Sequence, residues 1–208
     1  LRMYISGVQI GGAPATIDDV APFQAKGVAL LDFEDGTGAC TGSSETHTTI
    51  SAHAEDASGA LEFDISVPED LDHLDPSTLV SPLNVSSMFW GWTAGFKFLK
   101  IDLVTPSFPN GWLTHIGSAA CDGVTGQSSD CHTPNRLHVK LDDWDASKAV
   151  VFDLGALLEN ADVNANDPDT GPGCMSDPAD KDCIPVFAAY GLPFQDAGAS
   201  PQTVFHVE

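Results

Sequence analysis

The fold class is decided by one stretch, Leu61-Glu62-Phe63-Asp64-Ile65-Ser66-Val67, in which apolar and polar residues alternate almost without fault. Successive side chains of a β-strand point to opposite faces, so this pattern predicts a strand with one buried face and one wet face. Clusters of Gly, Pro, Asp and Ser separate this stretch from other short apolar runs of the same character. The sequence therefore predicts a fold built mainly from short strands.

The rest of the chain agrees with this interpretation. Fourteen prolines and nineteen glycines indicate many loops, and only Leu154–Glu159 and Ile184–Tyr190 predict short helical turns. No repeat or linker divides the chain, so we expect one all-β domain over residues 1–208, an antiparallel β-sandwich with long loops. The predicted strands are Met3–Ile10, Val28–Phe33, Leu61–Val67, Phe96–Val104, Arg136–Leu141, Val150–Asp153 and Val204–Val207.

The balance of charged residues limits the partners. Thirty Asp and Glu residues face eight Lys and Arg, which gives a formal net charge of −22. A surface this negative repels phosphates and anionic lipids, so it argues against nucleic acid and membrane surfaces as partners. It suits a cation or a basic partner, although charge alone also keeps a secreted or salt-adapted protein soluble. No apolar run approaches the roughly 20 residues that a membrane span requires.

The cysteines indicate an oxidising compartment. Cys121 and Cys131 bracket a polar loop of turn-forming residues, and Cys174 and Cys183 bracket a similar loop. Short loops closed in this way predict two local disulfides and a periplasmic, secreted or cell-surface protein. Zinc binding is the alternative, but neither pair has the tight Cys-x-x-Cys spacing.

Cys40 is left over by this pairing. The chain opens directly in a strand-like run, Leu1–Ile5, and no signal peptide is visible. We therefore expect a mature or trimmed chain, with the partner of Cys40 in a missing upstream segment.

An acidic segment is a candidate calcium site. Asp162, Asn164, Asn166 and Asp169 carry side-chain oxygens along a turn, and Ca²⁺ prefers oxygen ligands. The EF-hand pattern fails here, because Asp167 occupies the glycine position and no Glu closes the loop. A solvated acidic surface loop is the simpler interpretation.

Signatures of common enzymes are missing. The sequence has no Gly-x-Ser-x-Gly, no His-Glu-x-x-His and no phosphate-binding glycine loop. Acidic pairs such as Asp142-Asp143 resemble glycosidase carboxylates, but they arise by chance in a chain this rich in Asp and Glu. We therefore expect a protein that is not an enzyme.

Trp90 and Trp92 are two residues apart and share a face of an extended chain. A pair of core aromatics is the simplest explanation for such a pair alone. The pair belongs, however, to a series of motifs that runs along most of the chain: Leu1–Tyr4, Leu30–Cys40, Pro82-Leu83-Asn84, Met88–Trp92, Gly95–Phe98, His115–Ser118, Cys121, Cys131, Pro134-Asn135-Arg136, Gly173–Ser176 and Cys183. In this order, the motifs resemble the MbnP family of four-cysteine proteins.

The resemblance implies a periplasmic or surface protein encoded beside a diheme, peroxidase-like partner, MbnH. That partner oxidises a tryptophan of the MbnP-type protein to kynurenine, and copper handling is the associated role. Similar copper sites, made of histidines and a kynurenine, occur in surface proteins of methane oxidisers. This chain departs from the family in lacking the usual N-terminal strand, whose cysteine would pair with Cys40. Its loop after Leu158 is also longer and more acidic.

The resemblance also indicates which residues bind copper. Neutral imidazole is a good copper ligand, and His73 and His115 lie in family-like segments. Opening the indole of Trp90 or Trp92 adds a carbonyl and an aniline nitrogen, which are potential ligands. We therefore expect copper to be held by His73, His115 and one modified tryptophan. The histidines predicted to be ordinary surface or supporting residues are His47, His53, His132, His138 and His206.

Two other functions remain as alternatives. One is a calcium-stabilised extracellular binding or adhesion sandwich without a redox role. The other is a secreted hydrolase of an unrecognised type.

Overall fold

The fold consists mainly of short strands, as the sequence predicts. The computed structural model describes residues 1–37, 40, 46–55, 58–91, 93–123 and 130–208. Its strands are β1 (Arg2–Ile10), β2 (Ala13–Pro14), β3 (Thr16–Ile17), β4 (Gln24–Ala25), β5 (Val28–Asp32), β6 (Ala52–His53), β7 (Leu61–Ile65), β8 (Phe89–Gly91), β9 (Gly95–Leu103), β10 (Trp112–Gly117), β11 (Ala119–Asp122), β12 (Asp130–Thr133), β13 (Leu137–Leu141), β14 (Val150–Phe152), β15 (Gly173–Cys174) and β16 (Phe205–Val207).

Three short α-helices accompany the strands in the part of the chain that the structure describes. They are α1 (Glu69–Asp72), α2 (Leu154–Leu158) and α3 (Cys183–Tyr190), and 3₁₀ turns lie at Pro76–Thr78 and Ser86–Met88. Among the described residues, no helix is long and apolar enough to cross a membrane.

The main sheet has its centre at β1. Its principal order is β13-β7-β1-β9-β10-β15, and every pairing along this path is antiparallel except that between β10 and β15. The start of β1 pairs with β9, whereas its later residues pair with β7. The β1–β7 pairing has a register shift between Ser6 and Gln9, and Gly7 in this interval has a φ of 60°. The antiparallel, sandwich-like all-β class is thereby confirmed.

The strand that decided the fold class has the predicted orientation. Phe63 and Ile65 of β7 are buried, and Asp64 between them is directed to His138 on the outer face, with 2.8 Å between its Oδ1 and the imidazole Nδ1. The strand ends two residues earlier than predicted. Beyond Ile65, the backbone carbonyl of Ser66 accepts a hydrogen bond from a serine hydroxyl of β1, at 2.9 Å, instead of continuing the ladder.

The core includes residues from both the sheet and the C-terminal part of the chain. Its largest fully buried side chains include Trp112 of β10, Tyr4 of β1, Phe98 of β9, and Phe187 and Tyr190 of α3. Helix α3 therefore closes one side of the core beside β10 and β15.

The two predicted disulfides are confirmed. Cys121–Cys131 joins directly opposite residues of the β11–β12 hairpin, and Cys174–Cys183 joins β15 to the start of α3. Cys40 is half-buried and is not in a disulfide within the described part of the chain. One disulfide therefore closes a surface hairpin, and the other links β15 to α3 in the core.

Candidate functional site around Trp90 and His115

The outer face of the β9–β10 pair carries an unusual set of polar side chains. His115 of β10 lies opposite Lys100 of β9, and Gly117 lies opposite Lys97. Because side chains alternate along a strand, His115 and the Gly117 position share one face of β10. Asp102 extends from the same face of β9, diagonal to His115.

The indole of Trp90 is seated directly on this face. A Cβ atom at Gly117 would lie only 2.8 Å from Cζ3 of Trp90, so the ring packs against bare backbone. The Nζ atom of Lys97 lies 6.0 Å from the ring centroid and donates a 3.0 Å hydrogen bond to the carbonyl of Ser87, just before β8. Trp90 is half-buried, and its ring packs against Gly117, two residues along β10 from His115.

His115 is held by a carboxylate. Its Nε2 lies 2.7 Å from Oδ1 of Asp102, and the imidazole is buried. Burial lowers the pKa of His115, although the hydrogen bond to Asp102 opposes this shift. A neutral imidazole that donates from Nε2 leaves the lone pair of Nδ1 for another partner. A carboxylate that orients a histidine in this way is the usual support of a metal-ligating imidazole.

Asp102 and the two lysines complete the electrostatics of this face. Burial raises the pKa of Asp102, but hydrogen bonds from His115 and Lys100 outweigh it, so its net pKa is well below the usual value. The pKa of Lys97 is lowered by burial and by the charge of Lys100. Lys97 and Lys100 therefore lie with one carboxylate, Asp102, around His115 and Trp90 on this face.

A second polar cluster surrounds Asp72, the last residue of α1. Its carboxylate is fully buried; Oδ1 accepts from the Phe96 N–H at 2.9 Å, and Oδ2 accepts from Ser118 Oγ at 3.2 Å and Arg136 Nη2 at 3.1 Å. Burial raises the pKa of Asp72, and these bonds oppose the shift. The cluster ties α1 to β9, to the end of β10 and to the segment before β13.

His73 follows Asp72 and lies at the same end of β10. It is 3% exposed, and its Nε2 lies 3.6 Å from Oδ2 of Asp72 and 3.7 Å from Sγ of Cys131. Within the described ranges, no group of three or more His, Cys, Asp or Glu side chains is placed to hold a metal ion. Trp92 lies outside the described residues, so the predicted copper ligand set stays a prediction.

The candidate calcium ligands lie in a surface loop before β15. Asp162, Asn164 and Asp169 are exposed, and Oδ1 of Asp162 accepts from the Asn164 N–H at 3.0 Å. Asn166 is half-buried and closes the loop: its Nδ2 donates to the Thr170 carbonyl at 2.9 Å, and its Oδ1 accepts from the Gly173 N–H at 3.1 Å. The calcium site also stays a prediction.

Sequence reasoning did not single out Asp72, Asp102, Lys97 or Lys100. Lys100 and Asp102 are two residues apart on the strand that begins with the motif segment Gly95–Phe98, so alternation could have placed them on one face beside His115. Lys97 reaches that face only because the β9–β10 register shifts between Ile116 and Gly117, which the sequence does not indicate. Nothing in the local sequence distinguishes Asp72 from Asp70 or Asp75, because its partners are distant along the chain.

Comparisons with known proteins give one family and one fold. A family model described as MbnP matches residues 1–176. Among solved structures, MbnP from Methylosinus trichosporium is similar with a TM-score of 0.80 and 27% sequence identity, covering 99% of this chain and 85% of that chain. A comparison with curated proteins finds no match.

Proposed function

Since the chain belongs to the MbnP family, we propose that it is a copper-handling protein of the periplasm or cell surface, one tryptophan of which is oxidised to kynurenine. Its partner is a diheme, peroxidase-like protein of the MbnH type, and the chain itself is the substrate of that partner rather than an enzyme. Copper binds to His73, to His115 and to the modified side chain, for which we favour Trp90 over Trp92.

One observation carries this proposal: the indole of Trp90 is seated on Gly117, on the face of β10 that presents His115. Trp90 is half-buried, so the fold holds the residue while part of it stays accessible. Oxidation of a tryptophan in this position would give a modified side chain close to the imidazole of His115, which Asp102 orients.

The oxidation can be written with balanced atoms and electrons. The indole C2–C3 bond breaks, and each of these carbons takes up one oxygen atom, which gives N-formylkynurenine. Two molecules of hydrogen peroxide supply the two oxygen atoms and are reduced to two molecules of water through the diheme partner. Hydrolysis then releases formate and leaves an aniline nitrogen and a ketone on the side chain.

The donor atoms of the proposed ligands are of the types that copper prefers. Burial lowers the pKa of His115, which favours the neutral imidazole, and with Nε2 engaged by Asp102 its Nδ1 would be the ligand atom. His73, beside Asp72 and the β11–β12 hairpin, would supply the second imidazole. An intact indole offers no lone pair in the ring plane, so the third donor depends on the modification of the tryptophan. Two imidazoles and one neutral donor suit copper capture and transfer.

Intact mass spectrometry tests the modification. We expect the protein, after reaction with its diheme partner and peroxide, to gain one oxygen and lose one carbon, and to absorb in the near ultraviolet. Trp90→Phe should abolish the change, whereas Trp144→Phe, the matched control at another half-buried tryptophan after β13, should retain it. A mass change that persists in Trp90→Phe but disappears in Trp92→Phe would reassign the residue.

Copper titration tests the ligands. His73→Ala and His115→Ala each remove a direct ligand, and each should weaken binding by at least the 10–100-fold typical of losing a supporting residue around a metal site. His138→Ala serves as the control, because His138 lies on the exposed face of β13. If all three variants bind copper like the parent protein, the site lies elsewhere.

A further inference from the structure

The hairpin disulfide Cys121–Cys131 lies directly against an imidazole. Sγ of Cys131 is 3.7 Å from Nε2 of His73, a side chain that is 3% exposed and fixed at the end of α1. Oδ2 of Asp72 is 3.6 Å from the same nitrogen. An imidazole nitrogen and a sulfur atom, both of types that bind metals, are thus already adjacent in the folded protein.

The two disulfides differ in their accessibility to a reductant. Cys174 and Cys183 are both 0% exposed, whereas Cys121 and Cys131 are partly exposed on their hairpin. Thiol–disulfide exchange begins when a thiolate attacks a disulfide sulfur, so access controls which bond opens. A mild dithiol reductant should therefore open Cys121–Cys131 and leave the core disulfide intact.

Reduction would leave two thiols opposite each other. Cys121 and Cys131 are paired residues of β11 and β12, whose ladder includes Ala119–Thr133 and Asp122–Asp130 on either side. The backbone pairing thus keeps both sulfur atoms together on the side of the hairpin that faces His73.

We propose that Cys121, Cys131 and His73 form a second metal site, for Cu(I), once a dithiol reductant has opened the hairpin disulfide. The dithiol gives two electrons and two protons to the Cys121–Cys131 bond and becomes a disulfide itself. Cu(I) then binds both sulfurs and the imidazole nitrogen, and the two thiol protons leave to solvent. Copper does not change its oxidation state in this step.

The chemistry of the three donors selects the metal. Thiolates are soft ligands that favour Cu(I), and one imidazole completes a three-coordinate set. Neither oxidation of Trp90 nor His115 is required, so this site can be tested without the modification proposed above, although the two sites have one ligand in common. The shared residue is His73, which would serve one or the other according to the state of the hairpin.

The experiment uses the Cys40→Ser, Trp90→Phe, His115→Ala variant, which lacks the unpaired thiol and two proposed ligands of the other site. After mild treatment with dithiothreitol and its anaerobic removal, alkylation and mass analysis should show two modified residues, Cys121 and Cys131. Titration with Cu(I) against a chromophoric chelator should then show one tightly bound ion in the reduced protein and none in the oxidised protein.

Variants of the reduced protein identify the ligands. His73→Gln should weaken Cu(I) binding at least tenfold, and Cys131→Ser should abolish the tight site, whereas His132→Gln, on the exposed side of the same hairpin, should leave it unchanged. Circular dichroism and thermal melting check that each protein is folded. Should the hairpin strands separate on reduction, the comparison of oxidised and reduced protein would show no gain in binding. Equal binding before and after reduction, unchanged binding in His73→Gln, or prior opening of Cys174–Cys183 would overturn the proposal.

Discussion

Two carboxylates at the β9–β10 pair, Asp72 and Asp102, have opposite surroundings. Asp72 is fully buried and accepts hydrogen bonds from three separate elements, and its pKa is raised by burial. Asp102 has a side chain that is 43% exposed, and its hydrogen bonds from His115 and Lys100 outweigh the effect of burial, so its pKa is lowered. The first carboxylate holds the fold together, whereas the second orients a histidine whose other nitrogen stays available.

The largest effect is expected at the buried carboxylate. Asp72→Ala leaves the Arg136 guanidinium, the Ser118 hydroxyl and the Phe96 N–H without their common partner. Breaking a buried charge pair in this way typically costs about 3–5 kcal/mol of the free energy of unfolding. Urea denaturation measures the loss, and Asp122→Ala, whose side chain is 83% exposed, is the control. A loss below about 1 kcal/mol would show that water or another group replaces the carboxylate.

The next effect concerns the seat of Trp90. In Gly117→Ala the new Cβ would lie 2.5 Å from the Phe96 carbonyl and 2.8 Å from the indole, so strand or ring must move. We expect a loss of about 1–3 kcal/mol, typical of overpacking, together with loss of kynurenine formation. Gly91→Ala is a matched control beside Trp90, because nothing lies within 4 Å of its added Cβ. Normal stability and oxidation in Gly117→Ala would mean that Trp90 does not depend on this contact.

A smaller effect is expected at the exposed carboxylate. Asp102→Asn keeps the shape of the side chain but weakens the orientation of His115, so copper affinity should fall by about 10–100-fold while thermal stability changes little. Asp142→Asn, on the surface after β13, is the control for the loss of one negative charge. If Asp102→Asn loses stability rather than copper affinity, the two carboxylates have the same structural role and the contrast between them disappears.

The burial of each strand explains which strands could be predicted from the sequence. The strand at Leu61 was predictable because only one face of β7 is buried, which imposes a period of two on its residues. Strand β10 was missed because Trp112 and Thr114–Gly117 are buried on both faces, so no alternation remains. A continuous buried run is not diagnostic of a strand in a short segment.

The candidate site was predictable only in part, for a similar reason. His115 and Trp90 stand in recognisable motifs, and antiparallel pairing through β9 brings their segments together. The partners of Asp72 are 46 and 64 residues away in the chain, at Ser118 and Arg136. Such contacts are created by the tertiary fold, and neither local pattern nor composition encodes them.

The smallest effect is expected in the acidic loop before β15. Its carboxylates are neither buried among several donors, as Asp72 is, nor bound to a histidine, as Asp102 is. Asp162 is exposed and accepts only a local hydrogen bond from the Asn164 N–H, and Asn166 already uses its side-chain oxygen to hold Gly173. We therefore expect Asp162→Ala to change the free energy of unfolding by less than about 0.5 kcal/mol, and the melting temperatures in EDTA and in Ca²⁺ to differ by less than about 2 °C.

A bound calcium ion would behave differently, because it stabilises the folded state according to its free concentration relative to its Kd. A clear fall of the melting temperature in EDTA, restored by Ca²⁺ in the parent protein and in Asp142→Ala but not in Asp162→Ala, would establish a calcium site. Calcium would then support the fold independently of copper, and the alternative of a calcium-stabilised binding module would gain its first direct evidence.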